Sequence, residues 1–292
     1  MNMHAGEVAI DAALVARLVA AQLPHLATQP IQAVHSIGTV NAIYRLGDEL
    51  CVRLPRLAAW AADLEREQAW LPYLAPHLSL RIPTPLARGE PSDEYPFPWA
   101  IYRWIDGRPY HDDLIADERR AAVDLAQFVI ELRRIDPRGA PAGGRRPLNE
   151  LDAQTRTALA DSQSLIDTPA ALAVWRYLLA TPAWHGTPVW IHADLLRPNL
   201  LVESGRLYAV IDFGGAGVGD PAADVIAAWS VFGPAGRAAF RTALGVDDPT
   251  WHRACGYALH QAALIIPYYS ETNPAFVALA RRTIAQILSD PW

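Results

Sequence analysis

The 292-residue chain contains no lysine; all 25 basic residues are arginine, set against 31 acidic ones for a net charge of −6. The basic surplus of a nucleic-acid binder is therefore missing, and that class is disfavoured. No run of about 18 apolar residues occurs, so no membrane span is predicted. The N-terminus lacks the basic flank and long apolar stretch of a secretory leader; it carries Glu7 and Asp11 inside an amphipathic pattern instead. Cysteine is scarce. Cys51 falls in a predicted strand and Cys255 in a predicted helix, so two buried free thiols are expected rather than a disulfide. The nine histidines form no zinc-ligand spacing, and there is no internal repeat. What remains is a chain that is 51% apolar, enough to bury a large core in one or two domains. A folded cytoplasmic protein is the expectation.

The informative stretch runs from Val189 to Val225, VWIHADLLRPNLLVESGRLYAVIDFGGAGVGDPAADV. Leu200–Val202 and Leu207–Ile211 read as strands. Glu203-Ser204-Gly205-Arg206 between them reads as a hairpin turn, with Gly205 supplying the permissive backbone. His192, Asp194 and Asn199 precede this hairpin and Asp212 follows it. A hairpin folds its ends together, so Asp194, Asn199 and Asp212 are expected to converge. Two carboxylates and a carboxamide suit a hard cation such as Mg²⁺. A carboxylate beyond the metal's needs accepts a proton. A metal against phosphates and a base at the attacking hydroxyl are the requirements of phosphoryl transfer.

His192-x-Asp194-x-x-x-x-Asn199 followed by Asp212-Phe213-Gly214 resembles the catalytic and metal-binding motifs of the protein-kinase-like fold. The continuation Gly219-Asp220-Pro221-Ala222-Ala223-Asp224 is similar to the aminoglycoside phosphotransferase family rather than to protein kinases. That resemblance implies an α+β, two-lobed fold: a small antiparallel-sheet lobe with one main helix over residues 1–105, and a larger, mostly helical lobe over 106–292. It also implies transfer of the γ-phosphoryl group of ATP or GTP to a hydroxyl of a small molecule. The acceptor is either an antibiotic such as a cationic aminoglycoside or a metabolic alcohol, as in choline and sugar kinases. A third alternative is an inactive nucleotide-binding relative. On this pattern Asp194 takes the hydroxyl proton, and Asn199 and Asp212 hold Mg²⁺.

The rest of the chain is consistent with this frame. Val8–Leu23 has helical periodicity through Ile10, Leu14, Leu18 and Val19, and Pro24 ends it. Ile31–Pro55 reads as three strands: a first with Ile31, Val34 and Ile37, then Ala42–Leu46 and Leu50–Leu54. The turn at Gly38 and Thr39 is placed over the nucleotide phosphates by the resemblance, although it is no G-x-G-x-x-G run. Arg53 stands where the fold usually has a lysine; it keeps the charge but replaces a point ammonium by a fork of donors. Leu57–Leu74 reads as a helix with Trp60, Leu64, Leu71 and Leu74 as its apolar stripe. Glu65 and Glu67 point about 200° apart on it. Glu67 fits the family pattern for the partner of Arg53, and Glu65 is left as a solvated charge.

Ile82–Leu86 and Trp99–Ile105 read as the fourth and fifth strands. The resemblance makes Arg103, Trp104 and Ile105 the hinge that takes the nucleotide base, with Tyr102 lining the back of the pocket. Helices are expected at Ala121–Ile135, Leu148–Ile166, Ala170–Leu179, Pro221–Val231, Gly236–Leu244, Trp251–Ile265 and Pro274–Leu288. Asp136–Pro147 reads as an exposed loop. Tyr268, Tyr269, Glu271 and Asn273 read as a loop between the last two helices, and Asp220 and Asp224 as structural carboxylates. Three departures from the family pattern stand out. Ala193 replaces a glycine, a change tolerable unless that backbone needs positive φ. Leu196 and Pro198 replace histidine and glycine. Arg53 is the third. None removes the base or a metal ligand, so an active site is expected.

Overall fold

The computed structural model describes residues 6–34 and 40–290. Gly38 and Thr39, expected above the phosphates, and Ile37 of the first strand lie outside them. The chain divides into two compact units. Unit 1 comprises Met1–Pro76, Arg81–Asp106 and Ala209–Gly214; unit 2 comprises His77–Leu80, Gly107–Tyr208 and Gly215–Trp292. Asp212-Phe213-Gly214 therefore groups with the N-terminal segments, while Asp194 and Asn199 belong to unit 2.

Unit 1 begins with helix α1 (Ala12–Gln22). It starts later than the periodicity suggests because Asp11 caps it, its carboxylate accepting the Leu14 N–H at 2.7 Å. Ile10 stays outside the helix and packs against the core with Val8. Strands β1 (Ile31–Ala33), β2 (Asn41–Leu46) and β3 (Leu50–Pro55) follow, then a 3-10 turn at Ala58–Trp60 and helix α2 (Ala61–Leu74). Along α2 the face with Leu64, Glu67, Leu71 and Leu74 is buried. Strand β4 (Pro85–Gly89) lies three residues later than the expected Ile82–Leu86, and β5 is Trp99–Arg103. Pro83 has no N–H to give a ladder, which disfavours the earlier start. The antiparallel sheet has the order β1-β2-β3-β5-β4. Gly89 pairs with Trp99, and a Cβ on it would fall 1.9 Å from the indole, so only glycine fits there. Leu14, Leu18, Val52, Leu54, Trp99 and Ile101 form the core between α1 and the sheet. Cys51 on β3 is a buried free thiol.

Unit 2 opens with the short strand β6 (Arg108–Pro109) and continues through α3 (Glu118–Arg134), α4 (Leu148–Asp161) and α5 (Thr168–Leu178). Asp117 and Asp167 cap α3 and α5, fixing starts earlier than periodicity gave. Strand β7 (Val189–Ile191) leads into the loop that carries His192, Asp194 and Asn199, and β8 (Leu200–Glu203) and β9 (Arg206–Val210) are the expected hairpin strands. Its turn has Ser204 at φ 49° and Gly205 at φ 80°, the two positive values a tight two-residue hairpin needs. Strand β10 (Gly217–Gly219) pairs antiparallel with β7.

The expected helix at Pro221–Val231 is two short ones, α6 (Ala222–Val225) and α7 (Ala227–Ser230). Then come α8 (Pro234–Leu244), α9 (Asp248–Tyr269) and α10 (Pro274–Leu288). Tyr268 and Tyr269 thus end a helix rather than form a loop, and Asn273 caps α10. Long α9 packs against α4, α6 and α10, which buries most of its length. Cys255 on it is a buried free thiol. Among the described residues no helix is long and apolar enough to cross a membrane.

Candidate active site

In unit 2 the loop after β7 is tied down before it reaches Asp194. The buried Asp224 carboxylate accepts the N–H of His192 at 3.0 Å to each oxygen and that of Ala193 at 2.7 Å. His192 Nδ1 in turn accepts the Asp194 N–H at 3.2 Å. Burial pushes the Asp224 carboxyl above the usual range, opposed by His192 and by these two N–H bonds. Between these anchors Ala193 is held at φ 68°, the left-handed region. The condition attached to the alanine-for-glycine replacement is therefore met: this backbone does take positive φ.

Asn199 closes a 3-10 turn, Arg197–Asn199, and its Nδ2 donates to Asp194 Oδ2 at 2.8 Å and to the Asp194 carbonyl at 2.9 Å. Pro198 sits inside that turn, where its fixed φ is compatible. Arg197 is buried beneath it, bonded to Asp112 at 2.5 Å and to the Val231 carbonyl at 2.7 Å. Asp220 accepts from Arg253 Nε at 2.8 Å, from the Tyr257 hydroxyl at 3.2 Å and from the Ala222 N–H at 2.9 Å. Asp220 and Asp224 are thus committed to structural bonds.

Unit 1 carries a second polar cluster. Arg53 Nη1 donates to Glu67 Oε2 at 2.5 Å. Glu67 is 1% exposed and also accepts the Tyr102 hydroxyl at 2.9 Å and the Phe213 N–H at 2.7 Å. Glu65 is exposed and pairs with Arg88 at 3.0 Å. Arg53 Nη2 lies 3.5 Å from Asp212 Oδ1, and its guanidinium stands 5.2 Å from the Tyr102 ring centre. Burial opposes the charge on Arg53, but Glu67, Tyr102 and Asp212 together hold its pKa above the usual guanidinium range. Asp212 has φ 68° and a side chain 38% exposed. Tyr102, expected as pocket lining, is instead a core residue that holds Glu67. In the segment expected as the hinge, the N–H groups of Arg103 and Trp104 are taken by the Thr84 and Glu49 carbonyls at 2.9 and 2.7 Å. The Trp104 ring carries the Arg45 guanidinium 4.3 Å above it. Ile105 follows at the edge of the unit.

The chemistry this donor set suits agrees with what the chain is similar to. A model of the APH phosphotransferase enzyme family matches residues 31–257. The chain belongs to that family. The uncharacterized protein YcbJ of Bacillus subtilis (strain 168) is 26% identical over 203 residues, 62% of this chain and 63% of that protein. Viomycin phosphotransferase of Streptomyces vinaceus is 28% identical over 168 residues, 53% of this chain and 58% of that protein. The chain thus spans 63% and 58% of the length of these two relatives. The solved GDP and kanamycin complex of APH(2")-IIia is 20% identical, with a TM-score of 0.76 over 95% of this chain and 99% of that one. This likeness shows the fold: an antiparallel-sheet N-terminal lobe and a helical C-terminal portion.

Three polar residues near the motifs are ones that the sequence does not single out. Asp63 on α2 approaches Gly214 closely, its Cβ 2.9 Å from where a Gly214 Cβ would stand. Burial raises the Asp63 carboxyl, opposed by Arg66 and reinforced by Asp212. Gln261 on α9 and Arg145 in the Pro- and Gly-rich loop meet at Asp194, Gln261 Nε2 donating to Asp194 Oδ1 at 2.7 Å. No local pattern marks either, because they lie 67 and 49 positions from Asp194. As for a divalent ion, the Asn199 carboxamide and the part-exposed Asp212 carboxylate are oxygen donors of the kind Mg²⁺ takes when it arrives with a nucleotide.

Proposed function

We propose that this protein is a small-molecule kinase that moves the γ-phosphoryl group of ATP or GTP to an acceptor hydroxyl. The observation that carries the reading is the fixed Asp194 carboxylate, bridged to Asn199 on a loop that Asp224 holds in a strained backbone. Asp194 orients the acceptor hydroxyl and receives its proton. Asn199 and Asp212 would hold Mg²⁺, which would neutralise charge on the phosphates. Arg53, kept in place by Glu67, donates to phosphate oxygens. The segment Arg103–Ile105 is the part that takes the base. Catalysis by these residues is positioning and electrostatics.

An aminoglycoside hydroxyl is the first acceptor to test, since kanamycin is bound in a solved structure of the same fold. A metabolic alcohol is the second acceptor class to test. The deciding experiment is transfer from γ-labelled ATP and GTP with Mg²⁺ against kanamycin, viomycin, choline and common sugars. Labelled product with one of them, lost in Asp194→Ala, supports the reading. Nucleotide binding without transfer to any hydroxyl, water included, would identify an inactive relative instead.

A further inference from the structure

Asp194 has a second neighbour besides Asn199, and behind that neighbour is a charge. Gln261, in the middle of α9, uses both ends of its carboxamide: Nε2 donates to Asp194 Oδ1 at 2.7 Å, and Oε1 accepts from Arg145 Nη2 at 2.8 Å. The same Arg145 nitrogen reaches the carbonyl of Ala193 at 3.3 Å. One guanidinium therefore grips the peptide that precedes Asp194 and the amide that touches its carboxylate. We propose that Gln261 and Arg145 are positioning residues for the phosphoryl-transfer step, acting in series through Gln261 on the orientation of Asp194. The inference rests on the reading of Asp194 as the group that takes the hydroxyl proton.

The physical argument has three parts. First, a carboxylate rotates about its last torsion unless both oxygens are held. Asn199 Nδ2 holds Oδ2 and Gln261 Nε2 holds Oδ1. One donor on each oxygen fixes the plane of the carboxylate. Second, an amide whose oxygen binds a cation is a stronger donor at its nitrogen, because hydrogen bonds in a chain polarise one another. Third, Arg145 is an expensive way to build a loop. Its Nε is buried and meets no acceptor among the described residues, and its two hydrogen-bond acceptors are neutral. Burial presses its pKa down, with Asp194, Tyr257 and Asp224 acting to restore it. A packing role would be served better by an apolar side chain. A charge left in such a place, one amide away from Asp194, is accounted for by what it does to Asp194.

The test uses the full chain and steady-state ADP release from Mg²⁺-ATP, with kanamycin as added acceptor and water as the background one. Gln261→Met keeps side-chain length and removes the donor; Arg145→Met removes the charge; the double variant removes both; Asp194→Asn is measured alongside. The expectation is that Gln261→Met lowers kcat about tenfold or more, with KM for ATP unchanged. Arg145→Met lowers kcat similarly, Arg145→Lys recovers part of that loss, and the double variant is no slower than the slower single one. Gln261→Glu, isosteric and able to pair with Arg145, keeps the fold should the Met variant lose it; it too is slow, because it sets a carboxylate against Asp194. Wild-type kcat in Gln261→Met or Gln261→Glu, a loss seen only in KM, or losses that multiply in the double variant would overturn the series. If Asp194→Asn retains the wild-type rate, the underlying assignment of Asp194 has failed instead, and the two failures are told apart by that one variant.

Discussion

Ala193 is the residue whose conformation the sequence hid. Alanine gives no sign of positive φ, and an L-residue there costs roughly 1–2 kcal/mol. The strain is sustained because Asp224 accepts the N–H groups of both His192 and Ala193. Ala193→Gly should relieve that cost while adding about 0.5–1 kcal/mol of unfolded-chain entropy. The thermal midpoint is therefore expected to hold or rise, against the usual sign of an Ala→Gly change. Ala193→Val, β-branched at the same φ, should lower stability by about 2 kcal/mol or more; chemical denaturation of the three proteins checks the order. His260 gives a second residue-scale expectation. Burial first, then Arg145 and Arg146, press its pKa to about 4, and Thr155 Oγ1 lies 2.8 Å from its Nδ1. Unfolded histidine titrates near 6.5, so the unfolded chain takes up the proton first as pH falls. This group contributes little to pH dependence above about 6.5 and costs stability progressively between about 6.5 and 4, on the order of 3 kcal/mol in full. His260→Gln should flatten that window; an unchanged pH–stability curve would remove His260 as its cause.

At the scale of elements, what was legible was what is local. The strands β8 and β9, the turn with Gly205 between them, and the helix α10 follow from apolar periodicity and turn chemistry alone. Helix starts were misjudged wherever an aspartate caps: Asp11, Asp117, Asp167 and Asp247 set them through one N–H bond each, at 2.7, 3.1, 3.1 and 2.8 Å. The C-terminus of α9 was misjudged because Tyr268 and Tyr269 sit beside Pro267, which the helix accommodates in its last turn. Arg145 was passed over because a loop rich in Pro, Gly and Arg reads as solvated, and nothing in it announces Gln261. Helix α2 offers the test at this scale. Glu67 accepts three donors from three different segments, Arg53, Tyr102 and Phe213. Glu67→Ala leaves the buried Arg53 charge with only the longer contact to Asp212, at 3.5 Å, and should cost about 3 kcal/mol. Glu67→Gln keeps size and an acceptor and should cost less, while weakening nucleotide binding through a misplaced Arg53. Glu65→Ala, whose partner is the exposed Arg88, is expected to stay within about 0.5 kcal/mol.

At the scale of the whole molecule, the family assignment and the two clusters make nucleotide binding a question for calorimetry and thermal shift, independent of any acceptor. A ligand that binds only the folded chain stabilises it by about 2.7 kcal/mol at a hundred times its Kd. For a protein of this size that is a rise in the unfolding midpoint of about 5 °C. Since Asn199 and Asp212 are assigned to Mg²⁺, the rise should be largest with ATP and Mg²⁺ together and smaller with ATP in EDTA. Asp212→Asn removes a charged oxygen donor and leaves Arg53 paired with Glu67. It should keep the EDTA-level shift and lose the increment that Mg²⁺ adds. Arg53→Met should do the opposite, losing affinity for the nucleotide whether or not the ion is present. An equal shift for wild type with Mg²⁺ and with EDTA would mean that nucleotide binds without the ion, and that Asn199 and Asp212 serve some other purpose.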